Sequence, residues 1–274
     1  MKTRLGQSQI EIRKMTLADL DFADRVRAAA GWNQTRADWR RFLEFEPDGC
    51  FVAEFQGQAA GTATTITYGS DLGWIGMVLV DPDFRRKGIA TELMEAALGY
   101  LSGRVRCIKL DATPDGAKVY ERLGFRAEWE LNRWVGQAVS ESGSGRSEPI
   151  SAMSDQSVFG ANRESWLKLL ANDAETVISN TQALGMIRRG VRSDYLGPIT
   201  ASNGEAGVEL TRQLLDRFSR QTFWDIPEPN RAAIGLAEER GFSRVRPLLR
   251  MWAGEQLLVG QPELQFAIGD PATG

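Results

Sequence analysis

Residues n and n + 117 of this chain agree in an ordered way that one continuous fold would not produce. Leu93 answers to Leu210, Leu98 to Leu215, Glu121 to Glu238, Gly124-Phe125 to Gly241-Phe242 and Arg133 to Arg250, with no gap between them. Scattered apolar matches arise by chance, but a Gly-Phe pair at a fixed distance from a preceding apolar helix pattern and a following arginine is harder to obtain. The chain therefore reads as one supersecondary unit built twice. Between the copies, Gly136 to Ser151 includes Ser-Glu-Ser-Gly-Ser-Gly-Arg-Ser-Glu-Pro at 140–149, the composition of a flexible linker. A length of 274 residues suits two domains, each able to bury its own core. We expect two similar α/β domains, 1–137 and 152–274, joined by a linker at 138–151.

The chemistry concentrates in two segments of the first copy. Trp74 to Val80 is an apolar strand pattern that breaks at Asp81-Pro82 and restarts as a helix after Arg85-x-x-Gly88-x-Ala90. Ile89, Leu93, Met94, Ala97, Leu98 and Leu101 keep helical spacing, so Gly88 to Ala90 fall in a first turn, where unpaired N–H groups and the helix dipole favour phosphate. Gly88 lets a ligand approach the backbone, and Arg85, Arg86 and Lys87 add positive charge. Taken alone, such a basic tripeptide is more often a solvated turn. Arg104 to Ala112 then reads as a strand, followed by Thr113-Pro114, a cap and first helical residue, and a helix closed by Gly124.

Together these two segments resemble the acetyl-CoA site of GNAT-superfamily N-acetyltransferases. The resemblance implies tandem GNAT folds, each a mixed, mostly antiparallel central sheet flanked by helices. It further implies that the backbone of Val78 and Val80 pairs with the pantetheine arm and that the pyrophosphate lies on the amides of Arg85, Arg86, Lys87, Gly88, Ile89, Ala90 and Thr91. A backbone donor near Leu79 would polarise the thioester carbonyl, and Tyr120 would protonate the departing thiolate. The other reading of Tyr120 is a half-buried helical aromatic. Thr113 stands where the family usually has Asn. In the second copy Arg85 becomes Ser202, Gly88 becomes Glu205, Ala90 becomes Gly207 and Tyr120 becomes Ala237, while Asn230 matches the family's Asn. A carboxylate at the cradle opposes a bound anion by roughly 1 kcal/mol in water and about 4 at an effective dielectric of 20. The second copy is thus expected to be degenerate, as in bacterial two-domain GNAT proteins.

Composition narrows the remaining classes. There is no histidine, so Ser-His-Asp and Cys-His hydrolysis, His-ligated zinc and imidazole bases are excluded. Direct aminolysis of a thioester tolerates that absence, because the amine is its own nucleophile. A net charge of −3 and the lack of a basic stripe argue against nucleic acid as partner. No metal-ligand pattern appears. Cys50 and Cys107 lie in apolar strand patterns and read as buried thiols. No run approaches the ~20 apolar residues of a membrane span, and Met1-Lys2-Thr3-Arg4 does not open a signal peptide, so a cytoplasmic location is expected.

For the acceptor side, Thr16-Leu17-Ala18-Asp19 opens a helix to about Ala29, Gly31 to Thr35 interrupts, and a second helix runs to about Phe45. By analogy with the GNAT fold, Trp32 and Asn33 are acceptor-site candidates, while Trp39 reads as core with Phe42 and Leu43. Strands at Cys50–Phe55, Gly61–Tyr68 and Trp74–Val80 form a meander whose tip brings in Tyr68, and Asp111 is a candidate amine anchor or base, or else a turn cap. The expected function is acetyl transfer from acetyl-CoA to a small primary amine, aminoglycoside-like, amino-sugar or amino-acid in type. The alternatives are a protein or peptide N-acetyltransferase and a non-catalytic acyl-CoA sensor. Oligomeric state stays open.

Overall fold

A computed structural model describes residues 9–137, 152–217, 220–256 and 260–274; the expected linker, 138–151, lies outside them. The chain forms two compact units, Met1–Ile66 with Ile75–Arg104, and Thr67–Trp74 with Val105–Gly274.

The first unit comprises β1 (Ile10–Lys14), α1 (Leu20–Ala29), α2 (Arg36–Phe45), β2 (Cys50–Phe55), most of β3 (Gln58–Tyr68), β4 (Leu72–Val80) from Ile75 onward, and α3 (Ile89–Leu101). β1, β2 and β3 pair antiparallel, Ile10 opposite Phe55 and Cys50 opposite Thr64. Both N-terminal helices start on a capping box. The N–H of Thr16 donates to the Asp19 carboxylate at 2.8 Å and that of Thr35 to Asp38 at 2.6 Å. The first box opens a single 3-10 turn, Leu17–Asp19, before α1 proper. α3 buries Ile89, Leu93, Met94, Ala97 and Leu101, the face its spacing predicts.

The second unit holds β5 (Cys107–Ala112), α4 (Pro114–Arg122) and β6 (Arg126–Gln137) of the first copy. It also holds the whole second copy: α5 (Ala152–Phe159), α6 (Glu164–Asn172), β7 (Ala174–Ser179), β8 (Ala183–Arg188), β9 (Asp194–Ala201), α7 (Gly204–Leu215), β10 (Gln221–Pro227), α8 (Arg231–Glu239), β11 (Ser243–Gly254) and β12 (Gln265–Ala267). β5 is shorter than its sequence pattern because Gly103, at φ 74°, and a turn from the N–H of Arg104 to Leu101 carry the chain out of α3 first. Within this unit the strands lie in the order start of β4, β5, β11, β6, β10, β9, β8, β7, with β12 on β9.

That order exchanges the last strands of the two copies. β11, from the second copy, pairs antiparallel with β5 of the first; β6, from the first, pairs antiparallel with β10 of the second; and β6 and β11 pair with each other. Leu131 sits opposite Leu248, its own counterpart at n + 117, which marks a local two-fold. Trp134 of β6 accordingly belongs to the second copy's core, with Leu196, Leu214, Trp224 and Phe242. Each exchanged strand carries a buried arginine that binds an aspartate of the other copy bidentately. Arg133 reaches Asp225 at 2.8 and 2.6 Å, and Arg250 reaches Asp111 at 2.8 and 2.9 Å. Removing one partner of such a pair strands a buried charge and costs about 3–5 kcal/mol.

The ungapped repeat holds only from α4 and α8 onward: α3 is capped by Gly88 and α7 by Asn203, 115 residues apart, so Gly88 answers to Asn203 and Glu205 to Ala90, not Glu205 to Gly88 as the ungapped spacing predicts. α4 and α8, and β6 and β11, stand 117 residues apart, but Asp111 and Asp225, which make equivalent pairs, stand 114 apart. Asp111 precedes its helix cap Thr113 by two residues and Asp225 precedes Asn230 by five, so Ile226-Pro227-Glu228-Pro229 makes a longer crossing into α8.

Candidate active site

In the first unit, Met77 takes φ 50° inside β4, a left-handed conformation rare for a non-glycine residue and the kind of irregularity that accompanies a bulge. The Met77 carbonyl is held by the buried Thr62 hydroxyl at 2.9 Å. Beyond it Leu79 points into the core while Val78 and Val80 remain half-buried. The strand ends where the Asp81 N–H donates to Ala60 at 2.9 Å, and the Asp81 carboxylate accepts from Arg25 of α1 at 2.6 Å and from the N–H of Asp83 at 3.1 Å. A 3-10 turn, Pro82–Phe84, follows.

Two left-handed residues then aim the chain, Arg86 at φ 61° and Gly88 at φ 85°. α3 begins on Gly88 with no side chain capping it. A Cβ built on Gly88 would meet nothing nearer than Ile10 Cδ1 at 3.9 Å, so the space before the helix is open. Arg85, Arg86 and Lys87 are exposed, Ile89 is buried, and Ala90 and Thr91 are half-buried. The Lys87 ammonium sits 4.4 Å from the Phe55 ring centre and 5.3 Å from that of Phe84. Also in this unit, Trp32 is half-buried, exchanging hydrogen bonds with Arg27 at 3.1 Å in both directions, Asn33 is buried, and Trp39 is core.

The other expected residues lie in the second unit. The Thr113 hydroxyl accepts the Gly116 N–H at 3.2 Å, so it caps α4, whose first residue is Pro114. Tyr120 is half-buried on α4 against Phe125, and burial pushes its phenol up to about 12. Tyr68 is buried and donates to the Thr273 carbonyl at 2.8 Å; Trp74 Nε1–H donates to Pro271 at 3.2 Å. Phe159 packs edge-on to Tyr68 at 5.3 Å, and Arg163, paired with Asp155, holds the Gly274 carbonyl at 2.8 Å. The segment 271–274 is thereby fastened over the β3–β4 turn. Asp111 has a fully buried side chain, and burial pushes its carboxyl up against the pull of Arg250. Both of its oxygens are taken by that arginine, at the positions an acceptor ammonium would need.

Three contributors were not read from the sequence. Met77 and Thr62 look like any strand residues, and Arg250 entered only as a marker of the repeat, although an arginine matched across two copies was a usable signal.

The acetyltransferase (GNAT) family profile matches residues 17–125, and a GNAT acetyltransferase domain profile matches residues 152–267. The chain belongs to the GNAT acetyltransferase family, as two copies in tandem. It is similar to the uncharacterized N-acetyltransferase YitH of Bacillus subtilis, 23% identical over 62% of this chain and 66% of that protein. It is also similar to the uncharacterized N-acetyltransferase MJ1207 of Methanocaldococcus jannaschii, 28% identical over 45% of this chain and 64% of that one. The chain thus spans just under two thirds of the length of either relative. Among solved structures, a proposed acetyltransferase from Pyrococcus horikoshii shares the fold over 100% of this chain and 99% of its own, at TM-score 0.83 and 22% identity. A GCN5-related N-acetyltransferase from Sphaerobacter thermophilus does so over 93% and 99%, at TM-score 0.63 and 13% identity.

The second GNAT copy opens its matching helix differently. α7 starts on Asn203, whose side chain accepts the Ala206 N–H at 2.9 Å, with Glu205 in the first turn. Glu205, Glu209 and Arg212 line the cleft there, and Arg212 is already bound to Glu239 at 2.8 and 2.7 Å. Ala237, at the place of Tyr120, is fully buried. Among the described residues, no helix is long and apolar enough to cross a membrane.

Proposed function

We propose that the chain is an acetyl-CoA-dependent N-acetyltransferase whose first copy passes the acetyl group directly to a small primary amine in a ternary complex. The contrast between the two helix openings carries this reading. α3 opens on Gly88 with no side-chain cap and leaves the Ile89 and Ala90 amides for an outside acceptor, the Thr91 N–H turning back to the Gly88 carbonyl at 3.0 Å, whereas α7 is capped by the Asn203 side chain and places the Glu205 carboxylate in its first turn. One opening suits a pyrophosphate and the other repels it.

In this reading the main chain of Val78 and Val80 takes the pantetheine arm, the amides between Arg86 and Ala90 take the pyrophosphate, and Arg85 and Arg86 add charge; the N–H groups of Arg85 and Thr91, expected in the same set, donate instead to the carbonyls of Pro82 and Gly88. The N–H groups after the Met77 bulge, near Leu79, polarise the thioester carbonyl. The amine nitrogen attacks the carbonyl carbon, the C–S bond breaks with its electron pair on sulfur, Tyr120 gives that sulfur a proton, and the proton released from the acylated nitrogen leaves to water, from which Tyr120 regains its own. The raised phenol stays protonated throughout the neutral range, as a donor must. A primary amine near pKa ~10.4 is neutral in about one molecule in 2,500 at pH 7, so the site must offset roughly 4–5 kcal/mol by desolvation or a proton path.

The test is incubation with acetyl-CoA and a panel of aminoglycosides, amino sugars, amino acids and short peptides while free thiol is followed. Turnover with a small amine is expected. Tight CoA binding with no turnover across the panel points instead to an acyl-CoA sensor.

A further inference from the structure

β4 and β5 run parallel and paired for three residue pairs only, Leu72 with Cys107, Gly73 with Ile108 and Trp74 with Lys109. β5 continues to Ala112, held on its other edge by β11, with Arg250 opposite Asp111. Asp111 is partly exposed as a residue although its side chain is fully buried, so its exposed atoms are main chain at the open end of the strand. One side chain ties the end of β5 to the start of β4 and to β6. The Arg250 guanidinium lies 4.5 Å from the ring centre of Trp74 on β4 and 4.1 Å from that of Trp129 on β6, while Nε and Nη2 grip both oxygens of Asp111. A planar cation stacked on two indoles and forked onto a carboxylate has its orientation set by three strands at once.

We propose that Arg250, a residue of the second copy, is a positioning residue for acetyl transfer by the first: it fixes the end of β5 and, through it, the start of the helix that carries Tyr120. This rests on the catalytic reading above. Asp111 stands two residues before Thr113, the cap of the helix that carries Tyr120, so movement of Asp111 displaces the phenol as well. The symmetry-related arginine supplies the control. Arg133 makes the same bidentate contact with Asp225 and lies over Tyr195 and Phe223, at 5.4 and 4.8 Å, but the helix after Asp225 carries Ala237 in place of a phenol.

Full-length Arg250→Met, Arg250→Lys and Arg133→Met are compared with wild type for melting temperature, CoA affinity by calorimetry, and kcat and KM with the panel amine that turns over best. Arg250→Met is expected to lose kcat by about 10- to 100-fold with CoA affinity nearly unchanged, the scale of a small misplacement of reacting groups. Arg250→Lys, which keeps charge but not the fork, is expected to fall between wild type and Arg250→Met. Arg133→Met is expected to melt earlier by a similar amount yet keep kcat. Equal kinetic loss in Arg133→Met, or a wild-type kcat in Arg250→Met, overturns the proposal and leaves the catalytic reading standing. If Arg250→Met does not fold, a wild-type kcat in Arg250→Lys has the same force. A wild type without turnover removes the catalytic reading, and the proposal with it.

Discussion

Gly88 answers two demands at one position: a left-handed turn into α3 and open space where a side chain would stand. Gly88→Glu is expected to weaken CoA binding at least tenfold, since a carboxylate enters the anion's place. Gly88→Ala should keep most of the affinity but lower stability by about 1 kcal/mol, because an L side chain is strained at this φ. Calorimetry with CoA and thermal melting of both variants separate charge from strain. Tyr120→Phe is expected to lower kcat by about 100-fold while leaving the CoA dissociation constant alone; an unchanged rate would mean that water or the amine protonates the thiolate. The cradle could be read from sequence because glycine, basic residues and helical spacing each leave a mark. Met77 leaves none, since a bulge is chosen by the neighbouring strand's pairing rather than by the bulged residue. Asp111 was read as an amine anchor or base, or else a turn cap, and its actual partner was not legible, because Arg250 lies 139 positions away on a strand of the other copy.

Elements whose signals are local were read well. The strand β2 and the ends of α1 and α2 follow directly from alternation, Thr-x-x-Asp boxes and helical periodicity. β3 begins earlier than its apolar pattern because ladder pairing extends through Gln58, which periodicity rejects, and β10 is displaced in the repeat by the longer crossing from Asp225 to Asn230. The first capping box also predicts a pH dependence. Hydrogen bonds from Arg13 outweigh burial and hold the Asp19 carboxyl below its ordinary value, with Thr16 adding to the effect. The folded state therefore releases this proton more readily than the unfolded chain, so its contribution is present above the ordinary carboxylate pKa and lost as pH falls through the depressed one. Asp19→Asn is expected to cost about 0.5–1 kcal/mol at neutral pH and to flatten the loss of stability below about pH 4. Denaturant melts from pH 7 to 3 would show it, and parallel curves for wild type and variant would remove Asp19 from the account.

At the scale of the whole molecule, the repeat announced two copies but not that they trade strands. Strand exchange is invisible to periodicity, because β6 and β11 carry the same pattern and each can seat in either place; only the reciprocal aspartate pairs and the Leu131–Leu248 contact reveal which was chosen. A chain ending at Gln137 would leave β5 without β11 on one edge and Arg133 without its carboxylate. It is expected to aggregate or to pair with another copy rather than stay a monomer, as light scattering after size exclusion would report; a well-melting monomer would contradict this. The exchange also sets a timetable during synthesis. β5 leaves the ribosome early, but the strand that completes its edge ends at Gly254, 142 residues after Ala112. At ordinary elongation rates that interval is on the order of ten seconds. Throughout it the nascent first copy carries a bare strand edge, which makes this chain a natural client for whatever shields unfinished sheets.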